Sequence, residues 1–256
     1  FSRYSSGGSS DSSDSNRGTT VIIPPVIQPD WPTIGSVSGK VAGTNTQRTF
    51  TVTDSLVKAA LEKAQAEAKK QNRTTYGVGA QIALDAPAVA GLTLTLERAA
   101  LNRLVNEKAK QFELTGAPIS LTFDAQALSE LQKQGTGNVT ITVKPVTVKN
   151  VRNAYDITLN TVKDGKTVSI TSLGTGNVTL SIPSTPGKSE AAGYLYAVYV
   201  DGNGKLNRIA DSTYDANSGS VIFSTNHFSV YGVGYTAPSA KFTDIEKHWA
   251  KESIDY

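Results

Sequence analysis

The chain has 256 residues, of which 38% are hydrophobic, and it carries a formal net charge of +3 with no cysteine. This length allows one large domain or two small ones, and the absence of cysteine excludes disulfides, thiolate nucleophiles and cysteine-based zinc sites. Basic residues form no stripe interleaved with aromatics, so no nucleic-acid partner is predicted, and no apolar run reaches the ~18–20 residues of a membrane span.

Residues 1–35 have the composition of a linker. The first 20 residues hold eight serines and three glycines, which is typical of flexible chain. Pro24, Pro25, Pro29 and Pro32 follow and favour a stiffer, extended polyproline geometry. Because the chain opens on Phe1 and contains no methionine, we expect it to be an internal fragment of a longer protein.

Residues 36–145 are predicted to form a subdomain that mixes helices with strands, with folded structure beginning near Val41. Thr53 or Asp54 can cap a first helix that ends at about Gln71. Its apolar face at helical spacing consists of Leu56, Ala60, Leu61, Ala64 and Ala68. A second helix is expected at about Arg98–Lys110, and a third after Asp124 with Gly135 as a left-handed stop. Strands are expected at Tyr76–Leu84, at Leu92–Leu96 and within 112–123.

Residues 146–236 are predicted to form an antiparallel β subdomain, because their apolar residues alternate with a period of two. Asp164-Gly165 is typical of a hairpin turn, and residues 194–200 are apolar on both faces, as in a central strand. The predicted fold class is therefore α+β, with a mixed helix and strand first half and an antiparallel, β-sandwich-like second half.

A six-residue segment occurs twice. Gly-Thr-Gly-Asn-Val-Thr stands at 135–140 and again at 174–179, each time before an alternating strand. The turn chemistry of glycine and asparagine favours two similar turns that enter two strands. A duplicated substructure is the alternative.

The last segment, 237–256, is predicted to be a linker followed by the first helix of another domain. Residues 242–256 read FTDIEKHWAKESIDY, in which Asp244 can cap the helix and Trp249 can pack in a core. The segment resembles the opening of an S-layer homology (SLH) domain, whose pattern is Phe-x-Asp-aliphatic, then His-Trp-Ala, then a helix. The matching residues are Phe242, Asp244, Ile245, His248, Trp249, Ala250, Ile254 and Tyr256.

The SLH resemblance implies a place outside a Gram-positive-type cell wall. SLH domains resemble lectin-like anchors that bind secondary cell-wall polysaccharide, usually as three repeats. The resemblance implies that the chain is a structural or display module of an S-layer or S-layer-associated protein, held non-covalently at the cell surface. It also implies that Asp244 and Trp249 contribute to polymer binding in the intact domain. We expect no conventional enzyme and no cofactor.

The tripeptide His227-Phe228-Ser229 carries the one catalytic alternative. It resembles the self-cleaving sites of ZU5-type domains, of a nucleoporin autocleavage domain and of GAIN domains. The resemblance implies that Ser229 attacks the carbonyl carbon of Phe228 while His227 acts as the base. The simpler alternative is a turn histidine, a core phenylalanine and a strand serine.

Six tyrosines in the second half leave a binding role open. They are Tyr194, Tyr196, Tyr199, Tyr214, Tyr231 and Tyr235. Exposed, they would form a surface for a glycan or a protein; buried, they would be large core residues, which the strand pattern favours.

No metal site or hydrolytic site is predicted. Asp201, Asn203 and Asn207 alternate like a calcium loop, but Lys205 occupies a ligand position, so a hairpin turn is favoured. The acidic residues of the first half fall on predicted helix surfaces, helix caps and strand ends, which is typical of solvated faces, whereas a glycosidase needs two carboxylates across a cleft.

Overall fold

A computed structural model of the chain describes residues 31–43, 46–85, 91–116 and 118–241. Three α-helices lie within them: Asp54–Lys70 (α1), Arg98–Asn106 (α2) and Ala125–Gln134 (α3). The first strands are Thr33–Lys40 (β1), Ala42–Gly43 (β2), Gln47–Val52 (β3), Val78–Asp85 (β4), Gly91–Leu96 (β5), Gln111–Thr115 (β6), Ser120–Asp124 (β7) and Val139–Val148 (β8). The later strands are Val151–Lys163 (β9), Lys166–Ser169 (β10), Val178–Pro183 (β11), Leu195–Val200 (β12), Leu206–Arg208 (β13), Thr213–Asp215 (β14), Ser220–Thr225 (β15) and Val230–Tyr235 (β16).

The strands form two sheets. The first sheet has the order β1-β4-β6-β7-β11-β15-β14, and the second has the order β13-β12-β16-β9-β8-β5-β3-β2 with β10 paired to β9. Three neighbouring pairs are parallel, namely β1 with β4, β4 with β6, and β3 with β5. The remaining pairs are antiparallel, so both sheets are mixed.

The predicted α+β fold class, with a mixed first half and an antiparallel second half, is wrong. Strands make up 49% of the described residues and helices 22%, so the fold is mostly β. Each sheet takes strands from both halves, because the three helices connect strands of different sheets: β3 to β4, β5 to β6, and β7 to β8. The helix predicted as the start of an SLH domain falls in 242–256, outside the described residues, and gains no support.

Both sheets and all three helices contribute to one hydrophobic core. Phe112, Phe123 and Phe223 of the first sheet belong to the same buried cluster as Ile141 and Tyr231 of the second. Each fully buried aliphatic or phenylalanine side chain contributes about 1.5–3 kcal/mol through removal of apolar surface from water. A shared core between two sheets is compatible with a β-sandwich.

Helix α1 confirms the sequence prediction most closely. The hydroxyl of Thr53 accepts a hydrogen bond from the backbone N–H of Leu56 at 3.4 Å and so caps the helix. The buried face is Val57, Ala60, Leu61, Ala64 and Ala68, whereas Leu56 is half-buried. The small residues let α1 approach β1 closely: a Cβ atom on Gly35 would lie 1.8 Å from the carbonyl oxygen of Ala60.

Three predicted boundaries are wrong. Folded structure begins with β1 at Thr33, before Val41, because β1 pairs in parallel with β4 along its whole length. Helix α2 ends at Asn106, where Lys108 turns to a φ of 56° and the N–H of Ala109 returns to the carbonyl of Leu104. Gly135 is extended, with a φ of −159°, and is not left-handed. A Cβ atom there would lie 2.4 Å from a Thr161 methyl carbon, which explains the glycine.

The two copies of the repeated segment occupy equivalent places. In the first copy, Val139 pairs with Leu96 at the end of β5, just before α2. In the second copy, Val178 pairs with Phe123 at the end of β7, just before α3. Each strand that follows the repeat therefore pairs antiparallel with a strand that leads into a helix.

The asparagines of the repeat contact the starts of these helices. Asn138 accepts a hydrogen bond from the backbone N–H of Arg98 at 2.9 Å, and the backbone N–H of Asn177 donates to the Asp124 carboxylate at 3.0 Å. Asp124 in turn caps α3 by accepting from the N–H of Ala127 at 2.6 Å. The two sets of contacts differ, since Asn138 accepts through its side chain and Asn177 donates through its backbone, which is compatible with two similar turns that enter two strands.

None of the helices in the described part of the chain is both long enough and apolar enough to cross a membrane.

Candidate functional site

The tripeptide His227-Phe228-Ser229 connects β15 to β16. His227 forms an isolated antiparallel bridge with Ser172, and Phe228 is half-buried against the core. All three residues have negative φ angles, so the backbone here is not in the left-handed region. The bridge to Ser172 and the packing of Phe228 against the core hold this connection in place.

The imidazole of His227 is bound by Tyr231, four residues further along. The phenolic oxygen of Tyr231 lies 2.9 Å from Nδ1 and 3.5 Å from Nε2 of His227. The ring of Tyr199 meets the imidazole edge-on, with 4.9 Å between the centroids. Burial of the imidazole lowers the pKa of His227 below its ordinary 6.5, because the charged form loses hydration.

The hydroxyl of Tyr231 is the centre of a small polar network inside the core. It donates to the backbone carbonyl of His227 at 2.9 Å and lies 3.0 Å from the hydroxyl of Thr225. Because a phenol has one proton, the Tyr231 hydroxyl donates to a single partner, and its contact with the His227 ring depends on the tautomer of the imidazole. Tyr231 is fully buried, and this burial raises its pKa to about 12.

The hydroxyl of Ser229 points to a different partner. It donates to the carbonyl oxygen of Val200 at 3.2 Å, while the backbone carbonyl of Ser229 accepts from the N–H of Ile157 at 3.0 Å. Throughout the described ranges, no hydrogen bond joins the His227 ring to the Ser229 hydroxyl. The structure thus brings His227 together with Tyr231 and Tyr199, and Ser229 together with Val200. Self-cleavage at Phe228–Ser229 stays a prediction.

The two residues predicted to bind cell-wall polymer, Asp244 and Trp249, lie outside the described residues. The same holds for the other six matches to the SLH pattern within 242–256.

The six tyrosines form no exposed patch. Tyr231 is buried and the other five are half-buried, with Tyr199, Tyr214 and Tyr235 packed against the core. Tyr196 lies on the opposite face of β12, beneath the Arg208 guanidinium, with 4.3 Å between the guanidinium carbon and the ring centroid. This arrangement favours the interpretation of the tyrosines as core residues.

A groove of about 340 Å³ opens beside His227, where the ends of β12, β13, β15 and β16 meet; we call it the His227 groove. It is lined by Asn177, Tyr199, Asn207, Arg208, Ile209, Ser224, Thr225, Asn226, His227 and Tyr231. Sequence reasoning missed its asparagines, because an asparagine beside a strand end is typical of a turn. The recurrence of asparagines at strand ends was the sequence signal that could have indicated this groove.

A larger cleft of about 660 Å³ lies beside the start of β9 and the end of β11; we call it the Ser184 cleft. It is lined by Pro145, Val146, Asn153, Ala154, Tyr155, Pro183, Ser184, Thr185, Ser218 and Gly219. Ser184 is only 3% exposed, and its hydroxyl has no hydrogen-bond partner in the described part of the chain. Burial also raises the pKa of Tyr155.

The Asp201 loop is a turn, as predicted. The Asp201 carboxylate accepts backbone hydrogen bonds from Asn203 at 2.9 Å and Lys205 at 3.0 Å, and these bonds lower its pKa. The loop joins β12 to β13. Nowhere in the described ranges do three or more histidine, aspartate or glutamate residues gather in a metal-binding arrangement.

Comparison with protein-family models and with curated protein sequences finds no match to this chain. The SLH resemblance therefore rests on the residues of 242–256 alone.

Proposed function

We propose that the chain is a structural display module of a cell-surface protein of the S-layer type, anchored non-covalently to the cell wall through an SLH region that begins near Phe242. The observation that carries this proposal is the pattern of residues 242–256, with eight matching positions in fifteen. In this account Asp244 and Trp249 belong to the polysaccharide-binding domain, and secondary cell-wall polysaccharide is the partner.

Two features of the described residues support a passive role for the preceding module. Its two sheets share one hydrophobic core with three helices, which suits a rigid spacer. The His227 ring contacts the hydroxyl of the buried Tyr231, and the Ser229 hydroxyl donates to the backbone carbonyl of Val200. Both side chains therefore have structural partners that account for their presence.

Cell fractionation tests the proposal. Antibodies raised against the purified chain are used on the source cells, separated into cytosol, membrane, wall and medium. We expect the protein in the wall fraction, released by guanidinium chloride and retained in non-ionic detergent, since the attachment is non-covalent. Recovery in the cytosol would overturn the proposal.

A tryptophan pair provides a matched variant and control. Trp249→Ala in the encoding gene removes a predicted SLH residue, and we expect the protein to move from the wall to the medium. Trp31→Ala changes a tryptophan that is 70% exposed and lies in the part of the chain before β1, and we expect it to stay at the wall. Equal wall binding by both variants would contradict the role of 242–256.

A further inference from the structure

The His227 groove combines an aromatic wall with polar rims. Tyr199 and His227, both half-buried, meet edge-on at 4.9 Å, and Tyr231 lies behind them with its ring centroid 5.9 Å from that of Tyr199. The polar groups of Tyr231 and His227 bind each other, so the rings of Tyr199 and His227 present mainly apolar area to the groove. The wall therefore suits a ligand with a flat apolar face and polar edges.

The three asparagines of the groove are all oriented by the protein. The side-chain NH2 of Asn226 donates to the carbonyl of Gly174 at 3.0 Å, and that of Asn207 donates to the carbonyl of Lys205 at 3.2 Å. The NH2 of Asn177 donates to the Asp124 carboxylate at 3.4 Å. Within the described residues, the three Oδ1 atoms accept no hydrogen bond, which leaves three acceptors of fixed direction at the rim.

The charged groups that adjoin this rim are held by other contacts: the carboxylates of Asp124 and Asp201 accept from the NH2 groups of Asn177 and Asn207. The lining contains no carboxylate and no lysine, and its one guanidinium, of Arg208, lies over the ring of Tyr196 on the opposite face of β12. An anionic ligand would meet three amide oxygens, because the Arg208 guanidinium lies over Tyr196. A cationic ligand would lose hydration beside carboxylates that already accept hydrogen bonds from the asparagines. The groove thus selects an uncharged ligand that offers several hydrogen-bond donors.

We propose that the His227 groove binds a neutral sugar of about one or two rings, a size that suits its volume. The sugar hydroxyls donate to Oδ1 of Asn177, Asn207 and Asn226, and the apolar face of a sugar ring packs on Tyr199 and His227. The hydroxyl of Tyr199, which has no hydrogen-bond partner among the described residues, adds one more contact. This inference is independent of wall anchoring, because no groove residue belongs to 242–256.

Saturation-transfer NMR on the purified chain tests the inference with cellobiose, maltose and N,N′-diacetylchitobiose as probes. Glucuronic acid and glucosamine are the anionic and cationic comparisons. We expect signal transfer to at least one neutral disaccharide and weaker transfer to both charged sugars. Transfer to none of the neutral probes, or equal transfer to a charged one, would overturn the proposal.

Tyrosine-to-phenylalanine variants locate the site. Tyr199→Phe keeps the ring and removes the hydroxyl, so the dissociation constant should rise about fivefold, the value of one neutral hydrogen bond. Tyr155→Phe makes the same change in the Ser184 cleft, and Tyr214→Phe makes it outside both cavities; both should leave binding unchanged. An effect of Tyr155→Phe with none of Tyr199→Phe would place the sugar in the wrong cavity and overturn the assignment.

Discussion

The hydroxyl of Tyr231 donates to the backbone carbonyl of His227 across 2.9 Å, and the same oxygen contacts Nδ1 of the His227 ring at 2.9 Å. One buried phenol thereby fixes both the backbone and the side chain of the residue that the sequence offered as a catalytic base. The connection between β15 and β16 owes its geometry to this pair, together with the Thr225 hydroxyl at 3.0 Å.

Tyr231→Phe should lower the free energy of unfolding by about 1–3 kcal/mol, because it keeps the buried ring and removes the shortest hydrogen bonds of the His227 carbonyl and the Thr225 hydroxyl. These two groups then keep only contacts of 3.4 Å, from the Thr225 hydroxyl to the His227 carbonyl and from the His227 N–H to the Thr225 hydroxyl. Tyr214→Phe is the control, since its half-buried hydroxyl makes no hydrogen bond within the described residues, and its effect should stay within about 0.5 kcal/mol. Urea denaturation measures both. Equal stabilities of the two variants would show that the network contributes nothing.

Stability should decrease in mild acid because of His227. Its folded-state pKa lies below the ordinary 6.5, so the unfolded chain takes up a proton first as the pH falls. The free energy of unfolding is therefore complete above pH 6.5 and decreases as the pH falls towards the folded-state pKa. Burial lowers the pKa because the uncharged imidazole is favoured inside the protein.

Denaturation between about pH 7.5 and 5.5 isolates this effect. The carboxyl groups with lowered pKa stay ionised there, since their ordinary values are 3.8 and 4.5; they are Asp54, Glu190, Asp201 and Asp215. His227→Gln should reduce the pH dependence in this window. A wild-type slope retained in that variant would assign the effect to another group.

Ser184→Ala should leave the protein as stable as the wild type or stabilise it by up to about 1 kcal/mol, because the buried hydroxyl it removes has no hydrogen-bond partner among the described residues. Ser212→Ala is the matched comparison. Ser212 donates to the Ile209 carbonyl at 2.7 Å and accepts from the N–H of Ala197 at 2.9 Å, so its loss should cost about 1–2 kcal/mol. Thermal denaturation ranks the two, and the reverse order would refute the hydrogen-bond assignment.

Gly176→Ala should destabilise the protein by about 1–3 kcal/mol or more, because the added Cβ would lie 2.2 Å from the backbone nitrogen of Ala127 in the first turn of α3. Gly202→Ala changes a turn glycine for which no heavy atom of the described ranges lies within 4 Å of the added Cβ, and should be neutral. The comparison measures how closely the second repeat packs on α3. If neither substitution changes the free energy of unfolding, the close packing of the second repeat on α3 does not contribute to stability.

The sequence predicted those features of the fold that depend on residues within a single helix or turn. The Thr53 cap and the Ala60, Leu61, Ala64 and Ala68 face of α1 depend on spacing within one helix, and both are present. The Asp164-Gly165 hairpin is also present, with φ angles of 51° and 74°. Turn chemistry and helical periodicity act over a few residues, and so they are visible in the chain.

The sheet arrangement was not predictable in the same way. Alternation identifies β8 and β11 as strands, but their partner residues in β5 and β7 lie 43 to 61 positions away in sequence and are chosen by tertiary packing. The parallel pairing of β1 with β4 depends on α1, which returns the chain in the same direction. The sequence pattern of Thr33–Lys40 is too weakly apolar to indicate a strand by itself.

The sequence named His227 as a candidate base for self-cleavage, and that role stays a prediction. The contact of His227 with Tyr231 depends on the depth at which β16 is buried, which the tripeptide does not encode. The asparagine rim of the groove combines residues of three separate segments around 177, 207 and 226. Such a convergence becomes visible only once β11, β13 and β15 are placed in their sheets.

Intact mass of the purified chain under denaturing conditions tests most directly the claim that this is a passive structural module. Because His227 is bound by Tyr231 and the Ser229 hydroxyl donates to Val200, we predict a single species of 27.0 kDa, identical for the wild type and for Ser229→Ala apart from the lost oxygen. Two fragments that separate between Phe228 and Ser229 in the wild type, and a single species in Ser229→Ala, would contradict the account and establish a self-cleaving module.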